Sequence, residues 1–208
     1  MSFAHKISSY NRKRKWDLFL KEIEPKQFMR VLDVGFSENE YSSTDNYIEK
    51  HYPFPEMLTA LGVNVPIAFK TRYPKVTAVH YSGDVFPFED KAFDVLWSNA
   101  VIEHVGDHNK QIAFIKEIER TSKKAFITTP NRFFPIEVHT RTPLLHYLPK
   151  NVFDNYLEVI GKRWAAGEYM HLLSYNQIGT LFADAGVSEY KIISNRLAGF
   201  VLDYVVVF

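Results

Sequence analysis

Apolar positions along the chain follow two alternating rhythms. Short apolar runs bounded by Gly, Pro or polar residues read as buried strands: Met29–Val34, Met57–Leu61 closed by Gly62, Val76–Tyr81, Phe93–Ser98, and Ala125–Thr129 stopped by Pro130. Between them lie stripes at helical spacing. Trp16, Phe19, Leu20 and Ile23 mark an amphipathic helix over Lys6–Ile23 that Pro25 ends. Short helices are predicted over Thr44–His51, with Asp45 and Asn46 near its start, and over Ile67–Arg72. Asp107 is placed to cap a helix to about Thr121, with Ile112, Ile115 and Ile118 on one face. Ser174 with Gln177 three residues on forms a capping box, Ile178, Leu181, Phe182 and Ala185 form the stripe behind it, and Gly186 stands at C′. Strands near Tyr190–Ile193 and Val201–Val207 close the chain.

Strands that alternate with helices imply an α/β fold: a doubly wound, Rossmann-like sheet of seven mostly parallel strands, covered on both faces. The short link between the last two strands is too short for a parallel crossover, so an antiparallel last strand is expected. Residues 131–173 break the rhythm with Pro135, Pro143 and Pro149, many aromatics and three histidines, and read as a helical lid inserted into a single domain that begins with an N-terminal helix over 1–27.

Composition narrows the picture. With 208 residues, 46% apolar and 24% charged, the chain is an ordinary globular domain with room for one core. A formal charge of +1 gives no general pull toward nucleic acid. The absence of cysteine excludes disulfides, thiolate catalysis and cysteine-bound zinc. No stretch is apolar enough to span a membrane and no apolar leader opens the chain, so a cytoplasmic location is expected. Aromatics at 15% leave stacking surface beyond the needs of a core.

The candidate chemistry begins in "VLDVGFSENEY", Val31–Tyr41. Gly35 ends the first strand and permits a sharp turn close to a ligand. A pyrophosphate loop of the G-x-G-x-x-G kind is absent, and Glu38 and Glu40 would repel phosphate, which disfavours a nicotinamide dehydrogenase. Two carboxylates in this loop instead suit a ligand with cationic groups and ribose hydroxyls. A plain strand-to-helix turn is the alternative.

Together with "VLDVG", the run "FPFEDKAFDVLWSNAVIEHVGD" (Phe86–Asp107), "FITTPN", and "LLSYNQIGTLFADAGV" resemble, in order and spacing, the class I S-adenosylmethionine-dependent methyltransferases, in particular the type 11 group that acts on small molecules. The resemblance covers roughly residues 28 to 208. It implies S-adenosylmethionine as cofactor, bound by the loop that carries Asp33, Gly35, Phe36 and Ser37. Asp33 would help hold the methionine ammonium and Gly35 would lie against the ligand. Asn99 would present its backbone to the methionine end. His104 would pack beside the site, unless it is a core histidine. The departures are Asn64, expected to hydrogen-bond the ribose, or an open Gly62 where the family carries a ribose-binding acid, Ser82 (with Asp84 two residues on), expected at the cofactor where the family carries an adenine-contacting Asp, and a missing second glycine in the loop.

The acceptor site is expected under the 131–173 insertion, where Arg132, Glu137, His139, Arg141 and His146 lie among Phe133, Phe134 and Tyr147, and Trp164, Tyr169 and His171 follow. His139 and Glu137 are the expected catalytic pair, with His139 as base for a hydroxyl acceptor. Arg132, His146, Tyr169 and His171 are expected to bind substrate. The alternative is a lid packing its aromatics onto the sheet. No H-E-x-x-H is present, so no catalytic metal is expected. The reading is methyl transfer to oxygen or nitrogen of a small-molecule or glycan/lipid-intermediate acceptor, with a catalytically silent binding or regulatory subunit as the alternative. RNA methylation would rest only on the basic run "NRKRK" at 11–15, which otherwise reads as the solvated start of a helix.

Overall fold

Strand β1, Val31–Val34, is buried at every position, as an apolar run without alternation requires of a strand covered on both faces. The computed structural model describes residues 3–137, 140, 142–167 and 170–208. β1 pairs in parallel with β2 (Leu58–Gly62) and with β4 (Val95–Asn99), so that Val31 lies opposite both Leu58 and Val95. β2 pairs in parallel with β3 (Thr77–His80). With β5 (Ala125–Pro130), β6 (Lys191–Leu197) and β7 (Phe200–Val207), the sheet has the order β3-β2-β1-β4-β5-β7-β6. Strand order reverses at β1 and β4, and in open α/β sheets ligands bind at the carboxyl ends beside such a reversal. Reciprocal bonds between Ala125 and Phe208, of 2.7 and 3.2 Å, pair the end of the chain antiparallel to β5, as the short closing link requires.

The helices are α1 (Phe3–Ile23), α2 (Tyr47–His51), α3 (Ile67–Arg72), α4 (His108–Thr121), α5 (Lys150–Val159) and α6 (Tyr175–Ala185). The residues form two compact units: Met1–Asn99, Glu117–Ile127 and Val207–Phe208 in one, and Ala100–Lys116 and Thr128–Val206 in the other.

In the first unit α1 docks through the stripe read from its spacing. Trp16, Phe19 and Ile23 are buried, while Leu20 is 38% exposed and sits at the edge of the stripe. The Phe19 ring meets Trp97 edge-on with centroids 5.0 Å apart, and Trp97 stacks on Phe126 at 5.1 Å. Each such aromatic pair is worth about 0.5–1.5 kcal/mol beyond its buried area. α2 begins at Tyr47, later than expected, because its polar lead-in is used elsewhere. Asp45 accepts from the Tyr41 and Ser42 amides, and Asn46 adopts a left-handed conformation with φ 47°.

In the second unit the capping box forms as expected: the Ser174 amide donates to Gln177 Oε1 at 3.0 Å and the Gln177 amide to Ser174 Oγ at 3.4 Å, while Gly186 takes φ 83°. Helix α5 lies in the insertion expected as a helical lid, although its bounds were not read from the sequence. It starts just after Pro149 and buries Phe153 and Leu157, one turn apart, against Ala165 and Met170. β6 runs four residues past its expected end at Ile193, to Leu197. Its polar continuation Ser194–Arg196 hid it, yet Asn195 is buried and donates to Asp203 Oδ1 at 2.8 Å. The β6–β7 turn is then only Ala198–Gly199, with φ 48° and 88°, the positive values that a two-residue hairpin needs.

Gly62 ends β2 beneath an aromatic ring: a Cβ there would lie 2.6 Å from Phe36 Cε1. Phe36 is buried and its ring is 4.5 Å from that of Phe69, so it has little freedom to retreat. Gly62→Ala is expected to destabilise the protein by about 1–3 kcal/mol. A lower urea midpoint at unchanged slope is the readout, and pairing it with Phe36→Leu should recover part of the loss.

Candidate functional site

The carboxyl ends of β1 and β4 enclose a cavity of about 30 Å³ lined by Arg12, Asp33, Gly35, Asn46, Glu49 and Asn99, among others. Sequence reasoning places Asp33, Gly35 and Asn99 in one site, and the fold brings these three together. Gly35 makes the turn with φ 110°, and its amide donates to Leu61 O at 2.8 Å. Glu49 and Arg12 were not expected here. Glu49 lies on α2, whose short segment gives no helical period by which to see its inward face. Arg12 comes from the basic run at 11–15, half of which proves not to be a solvated surface. Lys15, on the next turn of α1, is 5% exposed, and its ammonium donates to Asn99 Oδ1 at 3.4 Å. Lys13 does face solvent and pairs with Asp17 at 2.8 Å.

Asp33 and Glu49 are 5% and 6% exposed. Burial raises the Asp33 carboxyl well above the ordinary carboxylate range, Glu49 adds to this by charge and hydrogen bonding, and Arg12 opposes it. Burial likewise raises Glu49. Neither Glu49 oxygen has a hydrogen-bond partner of ordinary geometry. Two carboxyls in one desolvated site cannot both ionise cheaply, so the pair holds a proton to higher pH than an isolated carboxyl does.

The loop acids have a different role from the one their sequence position suggests. Glu38 accepts from the amides of Ala68 and Phe69 at 2.5 and 3.1 Å, closing the N-terminus of α3. Glu40 accepts from Asn46 at 2.9 Å and from Tyr73, and pairs with Lys50 at 2.9 Å. Burial would raise Glu40, but these donors hold it below the ordinary range. Ser37 is fixed through its backbone: its amide donates to Asn46 Oδ1 at 2.7 Å and its carbonyl accepts from Asn46 Nδ2 at 2.8 Å. The loop's carboxylates therefore pin the loop, and the acids at the cavity are Asp33 and Glu49. Asn64 and Ser82 are exposed. The room above Gly62 is taken by the Phe36 ring.

In the second unit a cavity of about 290 Å³ is lined by Gln111, Arg132, His146, Phe153, Met170 and His171, among others. It contains three of the residues expected to bind substrate, Arg132, His146 and His171. His139 and Tyr169 lie outside the described residues. Glu137 is buried, and its carboxylate accepts from the amide and hydroxyl of Thr140, both at 2.5 Å. His104 Nε2 lies 4.0 Å from Glu103 Oε1, and Glu103 is fully buried and accepts from Thr129 at 3.1 Å. The Glu103 carbonyl accepts from the His171 amide at 2.7 Å, and Gln111 donates to the His171 carbonyl at 3.3 Å, which fixes the His171 backbone in the cavity wall.

His146 is 6% exposed, and its Nε2 lies 3.0 Å from the Phe134 carbonyl. A carbonyl can only accept, so Nε2 carries the hydrogen and Nδ1 a lone pair. Nδ1 is buried with no hydrogen-bond partner. Burial lowers the imidazole pKa, which the Phe134 carbonyl and the charge of Glu137 only partly offset. His146 is thus a neutral base of fixed tautomer. Among the described residues no group of three or more His, Asp or Glu side chains is arranged to hold a metal.

Residues 53–125 match the family described as Methyltransferase domain. Comparison with curated proteins finds no match. Among solved structures the chain is similar to an S-adenosylmethionine-dependent methyltransferase of Aquifex aeolicus (17% identity, TM-score 0.55, 96% of each chain covered). It is also similar to a methyltransferase of Thermotoga maritima described as a possible histamine N-methyltransferase (14% identity, TM-score 0.59, covering 98% of this chain and 89% of that one). A third is a phosphoethanolamine N-methyltransferase of Haemonchus contortus in complex with phosphomonomethylethanolamine and S-adenosylhomocysteine (15% identity, TM-score 0.58, covering 88% of this chain and 38% of that one).

The acid pair leaves a signature in stability. A carboxyl whose folded pKa is raised binds more protons folded than unfolded above about pH 4, so stability falls as pH rises until the folded pKa is passed. The limit is about 1.4 kcal/mol per pH unit for each proton retained. Between pH 5 and 7 the wild type should lose stability on this account. Glu49→Gln should show a shallower decline and be the more stable protein at pH 7, as denaturation at each pH would report. A steeper decline in the variant would contradict the pairing.

Proposed function

We propose that this chain is a class I S-adenosylmethionine-dependent methyltransferase, a reading that its fold and its match over residues 53–125 support, and that it methylates a small-molecule acceptor seated in the cavity lined by Arg132, His146 and His171. The cofactor, when bound, supplies a methyl group on a sulfonium, a carbon already activated for displacement.

The residues present suit the amino-acid end of that cofactor. Asp33 and Glu49 offer acid to its ammonium, and Arg12 lines the same cavity. The ribose is not held by an acid at the end of β2, since Gly62 stands there under Phe36. Val63, 58% exposed next to it, offers an apolar face to a purine.

The acceptor cavity, at about 290 Å³, is near the lower end of the range for small-molecule sites. It combines an apolar wall, Phe153 and Met170, with a few polar groups, which is the usual make-up of such sites. The two relatives named for small amine acceptors favour a small molecule over a glycan or lipid intermediate. The observation that carries the reading is the unpartnered Nδ1 of the neutral, buried His146. In this reading the acceptor's lone pair forms the new bond to the methyl carbon as the carbon–sulfur bond breaks, and the acceptor's proton passes to His146 Nδ1. Arg132 and His171 orient the acceptor, and the lid residues keep water from the site.

His146→Ala should lower turnover by roughly 10²- to 10⁴-fold. Cofactor affinity should stay within about threefold, roughly 0.65 kcal/mol. Wild-type activity should fall as pH drops through the imidazole pKa, which burial places below the usual value. His139→Ala is the control, because the sequence made His139 the expected base. Loss of turnover in that variant alone would move the base to His139 and contradict the assignment to His146.

A further inference from the structure

Glu49 presents an oddity that the cofactor reading alone does not explain. It is 6% exposed, lines the cavity at the end of β1, and neither of its oxygens has a hydrogen-bond partner. A buried carboxyl whose only close polar neighbour is a second acid is unfavourable if ionised. A glutamine of the same size would avoid that. The carboxyl makes sense if a cation completes it.

The surroundings define what that cation can be. The cavity is about 30 Å³, room for a single small group such as a water or an ammonium. Asp33 forms one wall and Arg12 another. The charged groups acting on the pair are Arg12 on α1, which opposes protonation of Asp33, and Glu40 and Lys50, which act on Glu49 with opposite signs. Lys15 reaches the same place through Asn99. Two acids beside an arginine and a lysine match an α-amino acid zwitterion, with its ammonium on the acids and its carboxylate toward the cations.

We infer that Glu49 and Asp33 together form the seat for the α-ammonium of the cofactor's amino-acid end, and that the ammonium enters in exchange for the proton the two carboxyls share. This rests on the cofactor reading above and adds to it a second acid and a stoichiometry. The balance is simple: one cation enters, one proton leaves to solvent, and no covalent bond of the ligand changes. Cofactor binding then weakens as pH falls, because protons compete for the same seat.

The test is calorimetry of S-adenosylhomocysteine binding at pH 6.5 in two buffers that differ in protonation enthalpy, which counts protons released per ligand. The wild type should release protons as it binds. 5′-Methylthioadenosine, which lacks the amino-acid end, should bind without release. Glu49→Gln should still bind, with release reduced, because Asp33 then keeps the effect of burial but loses that of its acidic neighbour. The 5′-methylthioadenosine measurement uses the wild type and decides the matter even if that variant folds poorly. Binding of S-adenosylhomocysteine with no proton release overturns the exchange and leaves the cofactor reading intact. Equal release with both ligands, or undiminished release in Glu49→Gln, places the proton elsewhere and also overturns it. No binding by the wild type overturns both the exchange and the cofactor reading.

Discussion

A carboxylate sits inside a strand that is otherwise wholly apolar and hydrogen-bonded on both sides. Asp33 lies on β1, between Ala60 of β2 and Trp97 of β4, and is 5% exposed. Water cannot solvate it there, so its charge must be met by protons or by protein and ligand groups. The local structure of the first unit follows from that constraint. Gly35 turns the chain away directly after it. Asn46 bridges back to Ser37 so that α2 can start beside the site. Glu49 and Arg12 close the cavity with one acid and one base. The loop acids Glu38 and Glu40 are drawn off to α3, Tyr73 and Lys50, which leaves the Asp33–Glu49 pair as the acids of the cavity.

The second unit uses burial for a different end. His146 is also desolvated, but burial favours the neutral form of a base just as it favours the protonated form of an acid. The Phe134 carbonyl fixes which nitrogen holds the hydrogen. The insertion that carries His146 is held at both ends: its start is tied to the strand after it through the Asn131 amide and Leu202, and its end to its start through Arg132 and Leu173, both bonds 3.0 Å. α5 adds a small core of its own through Phe153 and Leu157. A cavity framed this way positions its polar groups by backbone bonds, with little left to side-chain freedom.

Much of the fold was legible in the chain because its strands are short unbroken apolar runs and its longer helices carry clean stripes. Ser174, Gln177 and Gly186 marked α6 to within a residue at each end, and Ile67–Arg72 was matched at both ends. What was lost is instructive. Polar Ser194–Arg196 concealed the end of β6, because an edge strand needs no apolar run. A helical lid was expected there, but the prolines around α5 hid its bounds, although Phe153 and Leu157 have the i, i+4 spacing that would have shown them. Of the residues that line the two candidate cavities, Asp33, Gly35 and Asn99 were picked out through the motif they belong to, and Arg132, His146 and His171 through their place in the insertion. Glu49, Arg12 and Lys15 were not. Their neighbours are distant in sequence, and a charged residue gives no sign in one dimension that it faces inward.

A crystal structure with S-adenosylhomocysteine would show whether the buried acids on β1 and α2 receive the ligand's ammonium. The ligand's amino nitrogen should lie within hydrogen-bond distance, roughly 2.6–3.2 Å, of carboxyl oxygens of both Asp33 and Glu49, with its carboxylate on the Arg12 side. An amino group bound elsewhere, with Glu49 still unpartnered, would contradict this placement.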